Sequence, residues 1–286
     1  MATYPIVLAH GIARFDALLR NLAQDEDAAD DGTHYFRRIR STLQAAGFTV
    51  EHSAVPWAAA VGVRAAALKG EVERVLAKTG APKVHIVAHS MGGLDARHML
   101  FEHQGDRMHQ KVASLSTIGT PHWGTSFADW GMTHAALLFA LLDAWGITQL
   151  DGVKDLTTGA CARFNEEAAA FESGCGVTFQ TYAGAQDVSR VFAPLQVSWH
   201  IIKVHEGDND GLVPVPSAQW RSEYFQAPVL DADHLNEIGW WEPGDLHRPI
   251  FPPGPPLGET RAQLEGRIRG FYVDLARRLA ARFPLG

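Results

Sequence analysis

The run Lys83-Val84-His85-Ile86-Val87-Ala88-His89-Ser90-Met91-Gly92-Gly93 sets a serine between a β-branched apolar stretch and a segment, Leu94–Phe101, of helical character. A strand, a sharp turn and a helix are implied, with Ser90 on the turn. Small residues two before and two after it, Ala88 and Gly92, let strand and helix crowd together, so that a strained turn lifts the hydroxyl clear as a candidate nucleophile. A hydroxyl attacks only if a histidine removes its proton and an acid holds that histidine in the right tautomer. Downstream, Gly207-Asp208-Asn209-Asp210-Gly211-Leu212-Val213-Pro214 is a polar turn read as following a strand; Asp210 is the favoured acid and Asp208 its rival. Of the 14 histidines, His234 in Leu230–Ile238 lies beyond the acid and before the last helix and is the favoured base, with His247 the alternative. Oxyanion donors are expected from the backbone N–H of Met91 and from Ile12 in the loop Ala9-His10-Gly11-Ile12-Ala13, with His10 packed beneath that loop.

The elements that must hold these residues alternate. Ile6-Val7-Leu8 predicts a strand, Tyr35–Ala46 a helix stopped by Gly47, and Phe48-Thr49-Val50 the next strand. Val61, Ala65, Leu68, Val72, Val75 and Leu76 recur at helical spacing before Gly80-Ala81-Pro82. Val112–Ile118 predicts a further strand ending at Gly119-Thr120-Pro121, and Val177–Tyr182 and Trp199–Val204 read as strands too. Leu264, Ile268, Phe271, Tyr272, Leu275 and Leu279 make one face of a last helix, with Thr260 and Gln263 suited to cap it. This order predicts an α/β domain: a mostly parallel sheet with helices on both faces.

Between Thr117 and Val177 the alternation lapses, and residues about 125–175 read as a lid or cap insertion in a single domain, 1–286. Its apolar stripe, Leu137, Leu138, Leu141, Leu142 and Trp145, suits either a lid over an apolar cleft or a core helix. A net charge of −7 and a pI of about 6.0 leave no basic face for nucleic acid. No apolar stretch approaches the roughly 20 residues of a membrane-spanning helix. No zinc-ligand spacing or phosphate-cradling glycine loop is present. The spacing of Cys161 and Cys175 does not decide whether they pair. Met1-Ala2-Thr3 leads straight into the first strand without the pattern of a secretory leader, which leaves location open.

Taken together, these motifs resemble the bacterial true lipases, the Pseudomonas, Burkholderia and Proteus-type triacylglycerol lipases of the α/β-hydrolase superfamily. The matches are Tyr4–Ile12 with Phe15-Asp16, the elbow at Ser90, Gly119-Thr120-Pro121-His122-Trp123-Gly124-Thr125, Asn209-Asp210-Gly211-Leu212-Val213, and Asp233-His234-Leu235-Asn236-Glu237-Ile238. The resemblance implies an α/β-hydrolase fold, a triad of Ser90, Asp210 and His234, oxyanion donors at Ile12 and Met91, and an ester or lipid substrate taken at a lipid–water interface. Three positions depart from the family. Its calcium-binding aspartate is Asn236 here, which removes a charge from a hard-cation site, so no cofactor is expected to be required and any calcium site to be weak. A disulfide cysteine of the Pseudomonas branch is replaced by Pro216, which with the absent leader is closer to the Proteus-type branch; reliance on a dedicated folding chaperone does not follow from either. The tail Gly239-Trp240-Trp241-Glu242-Pro243 diverges as well. An esterase or polyesterase acting on short or bulky acyl groups is the alternative, and a catalytically inactive binding module a third reading that the intact Ser, Asp and His disfavour.

Overall fold

A computed structural model describes residues 3–12, 31–32, 34–134, 136, 151–240 and 260–285. Strands β1 (Ile6–Ala9), β2 (Val50–His52), β3 (Val84–His89), β4 (Val112–Ile118) and β5 (Thr178–Tyr182) form one sheet in the order β2-β1-β3-β4-β5, each neighbouring pair parallel. Two short strands, β6 (Gly184–Ala185) and β7 (Leu230–Asp231), pair separately. The helices are α1 (Ile39–Ala45), α2 (Val61–Thr79), α3 (Met91–Glu102), α4 (Met108–Lys111), α5 (Ser126–Thr133), α6 (Asp151–Lys154), α7 (Thr158–Gly174), α8 (Gln196–His205), α9 (Val215–Gln219) and α10 (Arg261–Arg282).

Alternation along β1 divides the core in two. Ile6 and Leu8 pack with α1 and α10, whereas Val7 and Ala9 pack with α2 and α3. Both faces of a parallel sheet are thereby covered, which is why β3 and β4 are buried at every residue. From β1 the chain turns to β2 on one side and then to β3 on the other. The crevice outside the carboxyl ends of β1 and β3 is therefore the place this topology leaves for a ligand. The Ala9–Ile12 loop and Ser90 both open onto it.

Several elements differ from the sequence expectation. Trp199–Val204 is not a strand but lies within α8. Leu195, Trp199 and Ile202 are buried at helical spacing while Val204 is 81% exposed, so the period is 3.6 rather than 2. The turn that carries Asp210 consequently follows a helix. The first helix begins at Ile39, because the Asp31 carbonyl accepts from His34 and Arg38 N–H and Arg38 takes φ 55°. β2 starts at Val50 because Phe48 N–H closes onto the Leu43 carbonyl at the end of α1. Within the expected insertion, α7 is a packed helix of the main layer, with Phe164, Ala168 and Glu172 buried. The stripe from Leu137 to Trp145 lies outside the described residues, as do Phe15-Asp16, Trp241–Pro243 and His247. Cys161 and Cys175 are both free. They stand at opposite ends of α7, about 21 Å apart at 1.5 Å per residue, beyond the reach of a disulfide. The capping box on α10 forms between Thr260 and Gln263. No described helix is long and apolar enough to cross a membrane.

One buried ion pair ties the sheet's two inner loops together. The Arg64 guanidinium on α2 donates to both Asp95 oxygens on α3 (2.7–3.1 Å), to the Pro56 carbonyl and to the His10 carbonyl at 2.9 Å. Burial pushes the Asp95 carboxyl up to about 6 even beside this guanidinium, so the pair is charged at neutral pH. Arg64→Met strands that carboxylate and the His10 carbonyl, and a loss of about 3–5 kcal/mol is expected in denaturant unfolding at pH 7. A loss below about 1 kcal/mol would refute the assigned role.

Burial lowers six histidines. His10 is lowered to about 3 and His85 to about 4, His52, His89 and His122 lie well below the ordinary imidazole value, and His98 lies below it too. Unfolding returns them to about 6.5, so below that pH the unfolded chain binds more protons and stability falls. Asp95, Asp233 and Glu237, pushed upward by burial, act in the opposite sense, three groups against six. Tm is expected to fall between pH 7 and pH 5; a flat or rising Tm would contradict this balance.

Candidate active site

Ser90 ends β3 and caps α3 with φ 56° and ψ −135°, a backbone conformation that a side chain adopts at a cost of about 1–3 kcal/mol. Its surroundings impose it. Ser90 N–H donates to the Ile118 carbonyl at 3.0 Å, and Thr120 Oγ1 donates to the Ser90 carbonyl at 2.8 Å. The Cβ position of Gly92 would fall on the Ala9 and His10 carbonyls, and that of Gly11 would lie 2.6 Å from Ser90 Cβ. The loop carrying Ile12 therefore passes directly against the serine. Met91 opens α3, where helical bonding leaves its N–H unpaired. His10 packs behind this loop: its Nδ1 lies 2.9 Å from the Gly11 carbonyl, its Nε2 accepts from Val55 N–H, and its ring stacks on Trp57 at 3.9 Å.

Asp210 and His234 meet through two hydrogen bonds. His234 N–H donates to the Asp210 carbonyl at 2.8 Å, and Nδ1 lies 2.8 Å from Asp210 Oδ2. The other carboxylate oxygen accepts from Leu212 and Val213 N–H at 2.8 and 2.7 Å. Both residues are 1% exposed. The rival acid, Asp208, is instead at the surface, bonded to Lys203 at 2.6 Å. Among the sequence candidates the structure thus joins Asp210 to His234 and leaves Asp208 apart.

A further set of buried polar residues was not singled out by spacing. Tyr35 Oη lies 2.8 Å from His89 Nδ1, and His89 Nε2 lies 3.0 Å from Glu237 Oε2. The His89 ring is 4.4 Å from that of His234, and Glu237 Oε2 is 3.8 Å from His234 Nδ1. Burial, with the charges of Asp210 and Asp233, holds the Glu237 carboxyl well above its ordinary value and favours its neutral form. Burial and the neighbouring His234 keep His89 well below its own. Their one sequence signal was position: His89 precedes the serine, and Glu237 is three residues past the base. His89, His234 and Glu237 are also the one group of three metal-ligating side chains found close together among the described residues, but His234 Nδ1 is already engaged by Asp210.

The calcium position implied by the family resemblance does not fit these residues. Asn236 Oδ1 accepts from Asp233 N–H, and its Nδ2 donates to the Trp240 carbonyl. Asp233 accepts three backbone N–H groups, from Phe192, Leu235 and Asn236. Oxygens already facing N–H donors do not form a hard-cation cage.

Comparison with known proteins agrees with this architecture. Residues 4–145 match the family described as alpha/beta hydrolase fold. The chain is 30% identical to a triacylglycerol lipase of Vibrio cholerae, over 82% of this chain and 79% of that one. It is 28% identical to triacylglycerol lipase 2 of Saccharomyces cerevisiae, over 82% and 80%. Among solved structures, a Bacillus licheniformis lipase in mature form superposes with a TM-score of 0.65 at 22% identity, covering 83% of this chain and 87% of that one. A metagenomic carboxyl esterase superposes with a TM-score of 0.70 at 16% identity, covering 99% and 77%; these two likenesses concern the fold.

Proposed function

The chain belongs to the α/β-hydrolase fold family and is a carboxylic ester hydrolase, and from that premise we propose that it is a triacylglycerol lipase of the bacterial true-lipase kind. In this reading Ser90, His234 and Asp210 work through an acyl-enzyme. The observation that carries it is the buried contact of 2.8 Å between His234 Nδ1 and Asp210 Oδ2; the strained turn that holds Ser90 at φ 56° supports it. Asp210 keeps the Nδ1 proton of His234 in place, which leaves Nε2 free to take the Ser90 proton as Oγ attacks the acyl carbonyl. Met91 and Ile12 N–H groups receive the developing oxyanion. The imidazolium, stabilised by the Asp210 carboxylate, returns the proton to the departing alcohol, and a water activated by the same imidazole then releases the acid.

Ser90→Ala is expected to lower kcat by about 10⁴-fold or more with the fold retained by circular dichroism. Asp210→Asn separates mechanism from packing. Because Oδ1 must go on accepting two N–H bonds, the new amide nitrogen faces His234 Nδ1, forces the proton onto Nε2 and removes the base, so turnover should fall by about 10⁴-fold. Asp208→Asn should leave turnover within about twofold of the unmodified protein. A reversal of the two aspartate effects would overturn the assignment of the acid.

Lipase and esterase differ in their response to an interface. Hydrolysis of p-nitrophenyl esters from acetate to palmitate, with and without a triglyceride emulsion, should show rising activity on long chains and a sharp increase above the solubility limit. Preference for acetate with a simple hyperbolic response would make the protein an esterase.

A further inference from the structure

The loop that carries His234 is closed by one side chain. Between Asp233 and Trp240 the backbone makes a short 3-10 turn, Asn236–Ile238, and reverses at Gly239, φ 83°. Asn236 spans it: Oδ1 accepts from Asp233 N–H at 3.3 Å on one side of His234, and Nδ2 donates to the Trp240 carbonyl at 3.0 Å on the other. The amide is buried, 6% exposed. Trp240 carries the closure onward, since its indole N–H donates to the Tyr35 carbonyl at 2.9 Å, and the Tyr35 hydroxyl bonds His89 next to the nucleophile. Asp233, the carboxylate nearest along the chain, accepts three backbone N–H groups.

We propose that the Asn236 carboxamide is a positioning residue for His234, latching the base loop by a paired donor and acceptor where a bound cation would otherwise draw carbonyl and carboxylate oxygens together. The Nδ2 donor satisfies the Trp240 carbonyl and turns a positive dipole toward it, so the latch closes this loop without needing a divalent metal. The inference rests on His234 being the base only for its effect on turnover; the closure itself is read from stability.

The test uses thermal unfolding and p-nitrophenyl ester kinetics of the full chain, each with EDTA and with millimolar calcium. Unmodified protein should keep its Tm and kcat in both. Asn236→Ala should lose about 3 °C or more in Tm, because a buried carbonyl and N–H lose their partners. It should also lower kcat roughly tenfold with KM unchanged, and calcium should restore neither. Asn236→Asp sets a carboxylate oxygen against the Trp240 carbonyl; it should lose a similar Tm and regain much of it in calcium but not in magnesium. The Tm arms repeated in a Ser90→Ala background stand whether or not the hydrolase mechanism does. A Tm of the unmodified protein that falls in EDTA and recovers with calcium would overturn the proposal. So would an Asn236→Ala variant with unaltered Tm and kcat, or an aspartate variant that calcium fails to rescue.

Discussion

Everything around the site follows from how closely three backbones approach Ser90. The end of β1, the start of α3 and the turn after β4 converge on a single residue at φ 56°. Gly92 lies under the Ala9 and His10 carbonyls, Gly11 lies over the serine, and Gly93 abuts Thr120. A side chain at any of these glycines would push an element of the sheet's carboxyl edge away. The strain at Ser90 is thus held by packing on three sides, and the hydroxyl stands clear because its own backbone has nowhere else to go. The strand order then decides what faces it: with β2 and β3 on opposite sides of β1, the crevice opens where the loop after β1 and the elbow meet.

Desolvation governs the rest. Asp210 is sunk to 1% exposure and remains usable because Leu212 and Val213 N–H groups and His234 surround its oxygens. The same burial works against a second charge nearby, so Glu237 is driven toward its neutral form. Cations are arranged on the opposite principle: Arg64 sits with Asp95 beneath the oxyanion loop, and Arg97 with Glu172 and Asn165, its guanidinium 3.9 Å over the Trp220 ring. These two buried cations are each matched at the place where they hold two elements together.

Much of this architecture was legible because it depends on local pattern. β4 runs from Val112 to Ile118 and α2 ends at a left-handed Gly80, as apolar spacing and punctuation indicated. The α8 segment was not, since Trp199-His200-Ile201-Ile202-Lys203-Val204 is short and β-branched, and only the tertiary burial of Leu195, Trp199 and Ile202 selects the helical period. At the site, Ser90, Asp210 and His234 were readable as residue types in characteristic turns. Tyr35, His89 and Glu237 were not, because their link is made across 54 and 148 positions of chain and leaves no spacing to recognise. Arg64 was invisible for the same reason: on α2 it reads as a charge on an amphipathic helix, and only the fold turns it inward against His10 and Asp95.

That Asp210 follows a helix rather than a strand changes how it is held. A residue at a strand end inherits its position from the sheet ladder, whereas Asp210 lies in a turn whose neighbour Asn209 ties it back, donating to the Trp199 and Gly207 carbonyls and accepting from Gly211 N–H. His234 in turn lies in a loop, and neither residue has a regular element of its own. Their mutual geometry is set by each other: the His234 N–H to Asp210 carbonyl bond fixes one backbone on the other, and the Nδ1 to Oδ2 contact then fixes the ring. Two loops are locked together in this way, and Trp240 and Tyr35 join them to His89 at the end of β3, next to Ser90. Precision at the site therefore comes from hydrogen bonds between loops, and the sheet needs only to bring those loops to one edge.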